Sequence, residues 1–152
     1  MSLLSRKPDS ASGSRAMRAI ARQREKYTHD VAIREHHLTA DEPPESGGDD
    51  DGPSPQELLA ASLASCSAIT MEMYAKRKGW NVDGMEVDCR YTPAERGSPT
   101  RFELVMRMPP HLDDEQVERL RVIAAKCPVH RTLDGEVMFT EAVERLPEAV
   151  PS

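Results

Sequence analysis

The sequence predicts an α+β fold in which a long central helix and a second helix pack on antiparallel strands. Three observations carry this. Residues 52–80, GPSPQELLAASLASCSAITMEMYAKRKGW, read as one helix of about seven turns. GMEVDCRYT and RFELVMRM, linked by PAERGSP, alternate apolar and polar residues like the two arms of a hairpin. DDEQVERLRVIAAKC then returns to a helical period. Strands, long helix, strands, helix and a last strand, in that order, favour α+β over alternating α/β.

Taken in order, residues 1–15 are Ser-rich and polar and are expected to be disordered. Residues 16–146 are expected to form a single domain, and 147–152 a fraying tail. AMRAIARQREK, residues 16–26, has helix-forming composition yet runs straight into a strand pattern, which leaves helix or first strand open. In HDVAIREHHLT, residues 29–39, Val31 and Ile33 alternate with Asp30, Ala32 and Arg34, predicting one strand with one buried face. His36 and His37 then point to opposite faces and do not share a metal ion; they read as solvated or edge histidines. DEPPESGGDDDGPSP, residues 41–55, is a loop by its prolines, glycines and charges. Its Asp49-Asp50-Asp51-Gly52 run lacks the alternating ligands and closing Glu of a calcium loop.

The central helix has written boundaries. Ser54, Pro55 and Glu57 make a capping box with proline at the first helical position. Lys76, Arg77 and Lys78 complement the negative helix end, and Gly79 suits a left-handed closing residue. On a 3.6-residue period Leu59, Leu63, Cys66, Thr70 and Met73 share a stripe, which turns Cys66 inward. A mid-helix position gives that thiol no help from its own helix N-terminus.

In the hairpin, Met85, Val87, Cys89 and Tyr91 face the same way, as do Phe102, Leu104, Met106 and Met108, so Cys89 reads as a small core residue. Asp113 or Asp114 caps the second helix, whose stripe runs Val117, Leu120, Ala124 and Cys127 before Pro128 stops it. The turn Asp134-Gly135 leads into a final strand over 136–142 with Val137 and Phe139 inward.

Composition excludes several classes. With 26 acidic and 20 basic residues and a net charge of −6, the chain does not suit a nucleic-acid backbone. No uninterrupted apolar run approaches the length of a membrane span, and the N-terminus lacks a signal peptide's apolar centre, so no membrane partner is expected. Three cysteines do not make a secreted disulfide framework, which points to the cytoplasm. One Trp, three Tyr and two Phe are a lean core for 152 residues, and a subunit interface would supply further burial.

Cys66 and Cys127 are the candidate functional residues, on inward faces of two helices; the plain alternative is that they are small core hydrophobes. Cys127-Pro-Val-His130 has two-residue metal-ligand spacing, but zinc needs four ligands and only this weak pair is visible. GPSPQELLAASLASCSAITMEMYAKRKGW resembles the hallmark of the OsmC/Ohr family, a P-x-E-L-L segment followed by an alanine-rich helix with its cysteine. KCPVHRTL resembles the site of that family's second cysteine, and HHLTADEP with the following GG and GPSP resembles the strand and loop before the first.

The resemblance covers about residues 27–141 and implies an intertwined homodimer with active sites at the subunit interface. It implies a thiol peroxidase acting on organic hydroperoxides, with Cys66 as peroxidatic and Cys127 as resolving cysteine, an external dithiol as reductant and no metal or flavin cofactor. It also implies that an Arg of the N-terminal strands stabilises the thiolate; Arg22, Arg24 and Arg34 all fit. Gln56 stands ten residues before Cys66, where the family's peroxidase branches carry Glu. Glu57, nine residues before it, lies about 180° around the helix and suits capping. A non-enzymatic OsmC-like module that senses oxidants or binds an apolar ligand is the alternative.

Overall fold

The computed structural model describes residues 16–149 and divides them into two units, one ending at Pro55 and the other beginning at Gln56. The segment expected to be disordered, 1–15, and the last three residues of the expected tail lie outside the described residues.

The first unit is an antiparallel sheet of order β1-β2-β3, made of β1 (Ile20–Glu25), β2 (Thr28–Ile33) and β3 (His36–Ala40). The ambiguous first segment is therefore strand over Ile20–Glu25, with residues 16–19 irregular. The single strand expected over 29–39 is two, folded at Arg34-Glu35, so that Ile33 pairs with His36 and Ala32 with His37. Arg34 takes φ 54 and Lys26, in the preceding turn, φ 47. Neither is the Gly, Asn or Asp that usually marks a left-handed turn residue, which is why the sequence hid the fold-back.

The loop after β3 is held by Asp41. Its buried carboxylate accepts the Thr28 hydroxyl at 2.8 Å, the Glu42 amide at 2.7 Å and the Asp51 amide at 3.1 Å. Burial alone would raise its pKa, but these donors outweigh that and hold it below the usual carboxylate range. Two glycines let the loop close on itself. A Cβ at Gly48 would lie 1.9 Å from the Glu42 carbonyl oxygen, and one at Gly52 2.2 Å from that of Thr39. Asp49 pairs with Lys26 at 3.1 Å.

The second unit holds α1 (Pro55–Lys78), β4 (Glu86–Thr92), β5 (Arg101–Arg107), α2 (Asp114–Ala124) and α3 (Pro128–Leu133). α1 ends as expected: Gly79, at φ 72, donates its amide to Lys76, and Trp80 donates to Ala75, the paired bonds of a left-handed helix closure. Asp113 caps α2 in a reciprocal box with Gln116, at 2.8 and 3.0 Å. β4 and β5 pair antiparallel with Cys89 opposite Leu104, and Tyr91 stacked on Phe102 with ring centres 4.8 Å apart.

The core lies where these elements meet: Met71, Tyr74 and Ala75 of α1 pack with Leu120, Ile123 and Ala124 of α2, flanked by Trp80, Val87 and Met106. The predicted α+β arrangement, two helices on antiparallel strands, is thus the observed one.

Three further expectations are corrected. α1 buries Leu63 of the expected stripe but continues that face through Ser67, Met71, Tyr74 and Ala75, leaving Cys66 and Thr70 half-buried and Met73 63% exposed. α2 stops at Ala124, so Cys127 does not end it but opens α3. Residues 136–142 form no strand, and Val137 and Phe139 are exposed. A strand persists only as one row of a ladder, and among the described residues none pairs with this one.

Averaged over 18 residues, α1 reaches a mean hydropathy of 1.3, as a membrane span would, although no uninterrupted apolar run is present. Core helices of soluble proteins share that property, and 22% of this window is buried.

Candidate functional site

The site is built where α1 meets the junction of α2 and α3. Cys66 and Ser67 are consecutive on α1, about 100° apart around its axis. Ser67 is buried and Cys66 half-buried beside it. The chain leaves α2 at Ala124, turns through a Lys126 amide bonded to the Ile123 carbonyl at 2.9 Å, and reaches Cys127, fully buried in extended geometry at φ −65 and ψ 146. Pro128 then starts α3 with the φ it prefers and no amide to leave unpaired.

Cys127 acts as the cap of α3. Its Sγ accepts the His130 backbone N–H at 3.2 Å, and the Ser67 hydroxyl lies 3.7 Å from the same sulfur. Cys66, next to Ser67 on α1, is near enough to the Cys127 thiol and the Val129 backbone N–H for each to shift its pKa. Two sulfurs from separate parts of the chain therefore lie near the first turn of α3. All three cysteines are free thiols.

Burial pushes the Cys66 pKa up; the Val129 amide opposes this, while the hydrogen bond and charge of Cys127 add to it, and the net direction is upward. The absence of an N-terminal dipole in α1 thus does not leave the thiol without amide help: α3 supplies it. Thr70 donates its hydroxyl to the Cys66 carbonyl at 2.8 Å and, with the Val129 amide, acts to lower the Cys66 pKa.

The other predicted residues fall as follows. Cys89 sits half-buried in β4, its thiol raised first by burial and then by the Asp88 charge. Arg22, Arg24 and Arg34 belong to the three-stranded unit and are exposed there; Arg24 donates to the Thr39 hydroxyl at 2.7 Å. Gln56 is exposed in the first turn of α1. Among the described residues no group of three or more His, Cys, Asp or Glu is placed to hold a metal, and Cys127 meets His130 through its backbone.

Sequence reasoning missed Ser67 and the Val129 amide. The signal for Ser67 was present: it continues the Leu63, Met71, Tyr74 spacing as a lone polar residue on the face that proves buried. The amide had none, because its exposure to Cys66 depends on where α2 ends.

Fold and site define an α+β protein with a pair of unlinked thiols between its long helix and a helical turn. A scan of family models matches residues 48–142 to the OsmC-like protein family, and the chain belongs to it. Solved structures share the fold. An OsmC-like protein from Mycoplasma pneumoniae is 18% identical with a TM-score of 0.68, covering 81% of this chain and 90% of that one. The organic hydroperoxide resistance protein OsmC of Legionella pneumophila is 19% identical with a TM-score of 0.55, covering 80% and 93%. The organic hydroperoxide resistance protein OhrB of Bacillus subtilis is 21% identical with a TM-score of 0.56, covering 79% and 91%. A search of curated proteins found no match.

Proposed function

We propose that this protein is a cysteine-based organic hydroperoxide reductase. The observation that carries the reading is the meeting of the Cys66 and Cys127 thiols. The Cys66 thiolate attacks the distal peroxide oxygen; the O–O bond breaks, alcohol leaves after taking a proton, and Cys66 is left as sulfenic acid. The Cys127 sulfur displaces that hydroxyl as water and forms the Cys66–Cys127 disulfide, which an external dithiol reduces. The electrons come from the dithiol, so the cycle balances without metal or flavin. Half-burial of Cys66 beside the buried Leu63 favours an apolar ROOH over hydrogen peroxide.

We further propose a homodimer in the cytoplasm. α1 leaves Ile69 and Met73 exposed, and the C-terminal segment leaves Met138, Phe139, Val143 and Leu146 exposed. Ser62, Ser65 and Glu72 lie exposed on the same helix, a mixture that suits a second copy of the chain better than lipid. Free thiols suit a reducing compartment.

Reduced protein should consume cumene hydroperoxide with a dithiol, and Cys66→Ser should abolish this; wild type and variant equally inert with several dithiols would refute the enzyme. The raised pKa of Cys66 and Gln56 in place of Glu favour a second reading, a redox-sensing module. That module would form the disulfide once per oxidation without turnover.

A further inference from the structure

The structure assigns Ser67 a positioning role: we infer that its hydroxyl aims the Cys127 sulfur at Cys66 for disulfide closure. This rests on the reading of Cys66 and Cys127 as a redox pair. Ser67 is buried in the middle of α1, where a serine ordinarily returns its hydroxyl to the carbonyl one turn back, as Ser65 does to Ala61 at 2.8 Å. The Ser67 hydroxyl instead faces Cys127, 3.7 Å away, and Cys127 is itself fully buried.

The Cys127 sulfur thus has two fixed neighbours besides Cys66. The His130 N–H donates to one sulfur lone pair at 3.2 Å. Either group can donate across the Ser67–Cys127 contact, and together with the His130 N–H it fixes the sulfur's orientation and leaves a lone pair for the neighbouring Cys66. When Cys127 attacks the sulfenic acid, the S–S bond forms, the S–O bond breaks, and the thiol proton joins the departing hydroxide as water. As negative charge grows on Cys127, the Ser67 hydroxyl rotates and donates to it, since a hydroxyl serves in either sense. Ser67 itself is unchanged.

The test separates the two chemical steps in Ser67→Ala and Ser67→Thr. Reduced protein is mixed with cumene hydroperoxide, quenched at intervals with a sulfenic-acid trap and a thiol alkylator, and read by mass spectrometry. In Ser67→Ala, sulfenic acid forms at Cys66 within about twofold of the wild-type rate, while closure slows about tenfold, the weight of one hydrogen bond. Ser67→Thr, which keeps the hydroxyl, closes faster than Ser67→Ala. Closure at the wild-type rate in Ser67→Ala, an equal fall in both steps, or a Thr variant no faster than Ala overturns the assignment.

A second arm uses diamide, which oxidises a thiol pair to a disulfide and is itself reduced to the hydrazine. If wild type forms no sulfenic acid with the hydroperoxide, the peroxidase reading fails, yet slower diamide closure in Ser67→Ala still supports Ser67. Equal closure of wild type and Ser67→Ala with diamide overturns the Ser67 role whatever the peroxide does.

Discussion

Removing the Cys127 sulfur in two ways separates what it holds together from what it reacts with. Cys127→Ala deletes the acceptor that caps α3 at His130, the neighbour of the Ser67 hydroxyl and a fully buried atom. Loss of a cap costs about 1 kcal/mol. Loss of one buried methylene-sized group adds about 0.8 kcal/mol. Ser67 can return its hydroxyl to its own helix, so little more is added. The sum is about 2 kcal/mol, and at roughly 2–4 °C per kcal/mol for a chain of this length the thermal midpoint falls by about 4–8 °C. Cys127→Ser keeps an acceptor at the cap, and serine is among the preferred residues there, so its midpoint stays within a few degrees of wild type. Both variants lose disulfide closure and accumulate oxidised Cys66. Thermal unfolding followed by circular dichroism reads the first effect, and mass spectrometry after peroxide the second. A Cys127→Ser protein as unstable as Cys127→Ala would show that the cap is not what the sulfur contributes.

Cys66 alkylation should accelerate with pH through a midpoint above that of an ordinary thiol, because burial and Cys127 both favour the protonated form over the opposing Val129 amide. The same upward shift makes the folded chain lose stability as pH rises past the ordinary thiol value. Cys127→Ser should move the alkylation midpoint downward. Gly79→Ala should cost about 1–2 kcal/mol in urea unfolding: φ is 72 and a Cβ meets nothing within 4 Å, so only the left-handed backbone is penalised. Ile69→Asp, on the exposed side of α1, should raise the monomer fraction in sedimentation, and an unchanged sedimentation profile would remove that side from the proposed dimer interface.

Much of this protein was legible along the chain because its signals are local. The long helix shows its start in Ser54-Pro55 and its end in Lys76 to Gly79, the hairpin shows period-two alternation, and α2 shows its cap at Asp113. Each depends on residues a few positions apart, the range over which backbone bonding and side-chain spacing act. Cys66 and Cys127 were likewise named from their motifs.

Folding in three dimensions decided what spacing alone leaves degenerate. Stripes through Cys66 and through Ser67 fit the helical period equally well, and packing against α2 and its junction with α3 selected the second. Whether 136–142 becomes a strand depends on a partner ladder, which no local pattern contains. The amide that faces Cys66 exists because α2 stops at Ala124 and a new helical turn opens at Cys127. Thus the residue types came from the sequence, whereas the juxtaposition of two thiols, a hydroxyl and two amides came from contacts between segments remote along it.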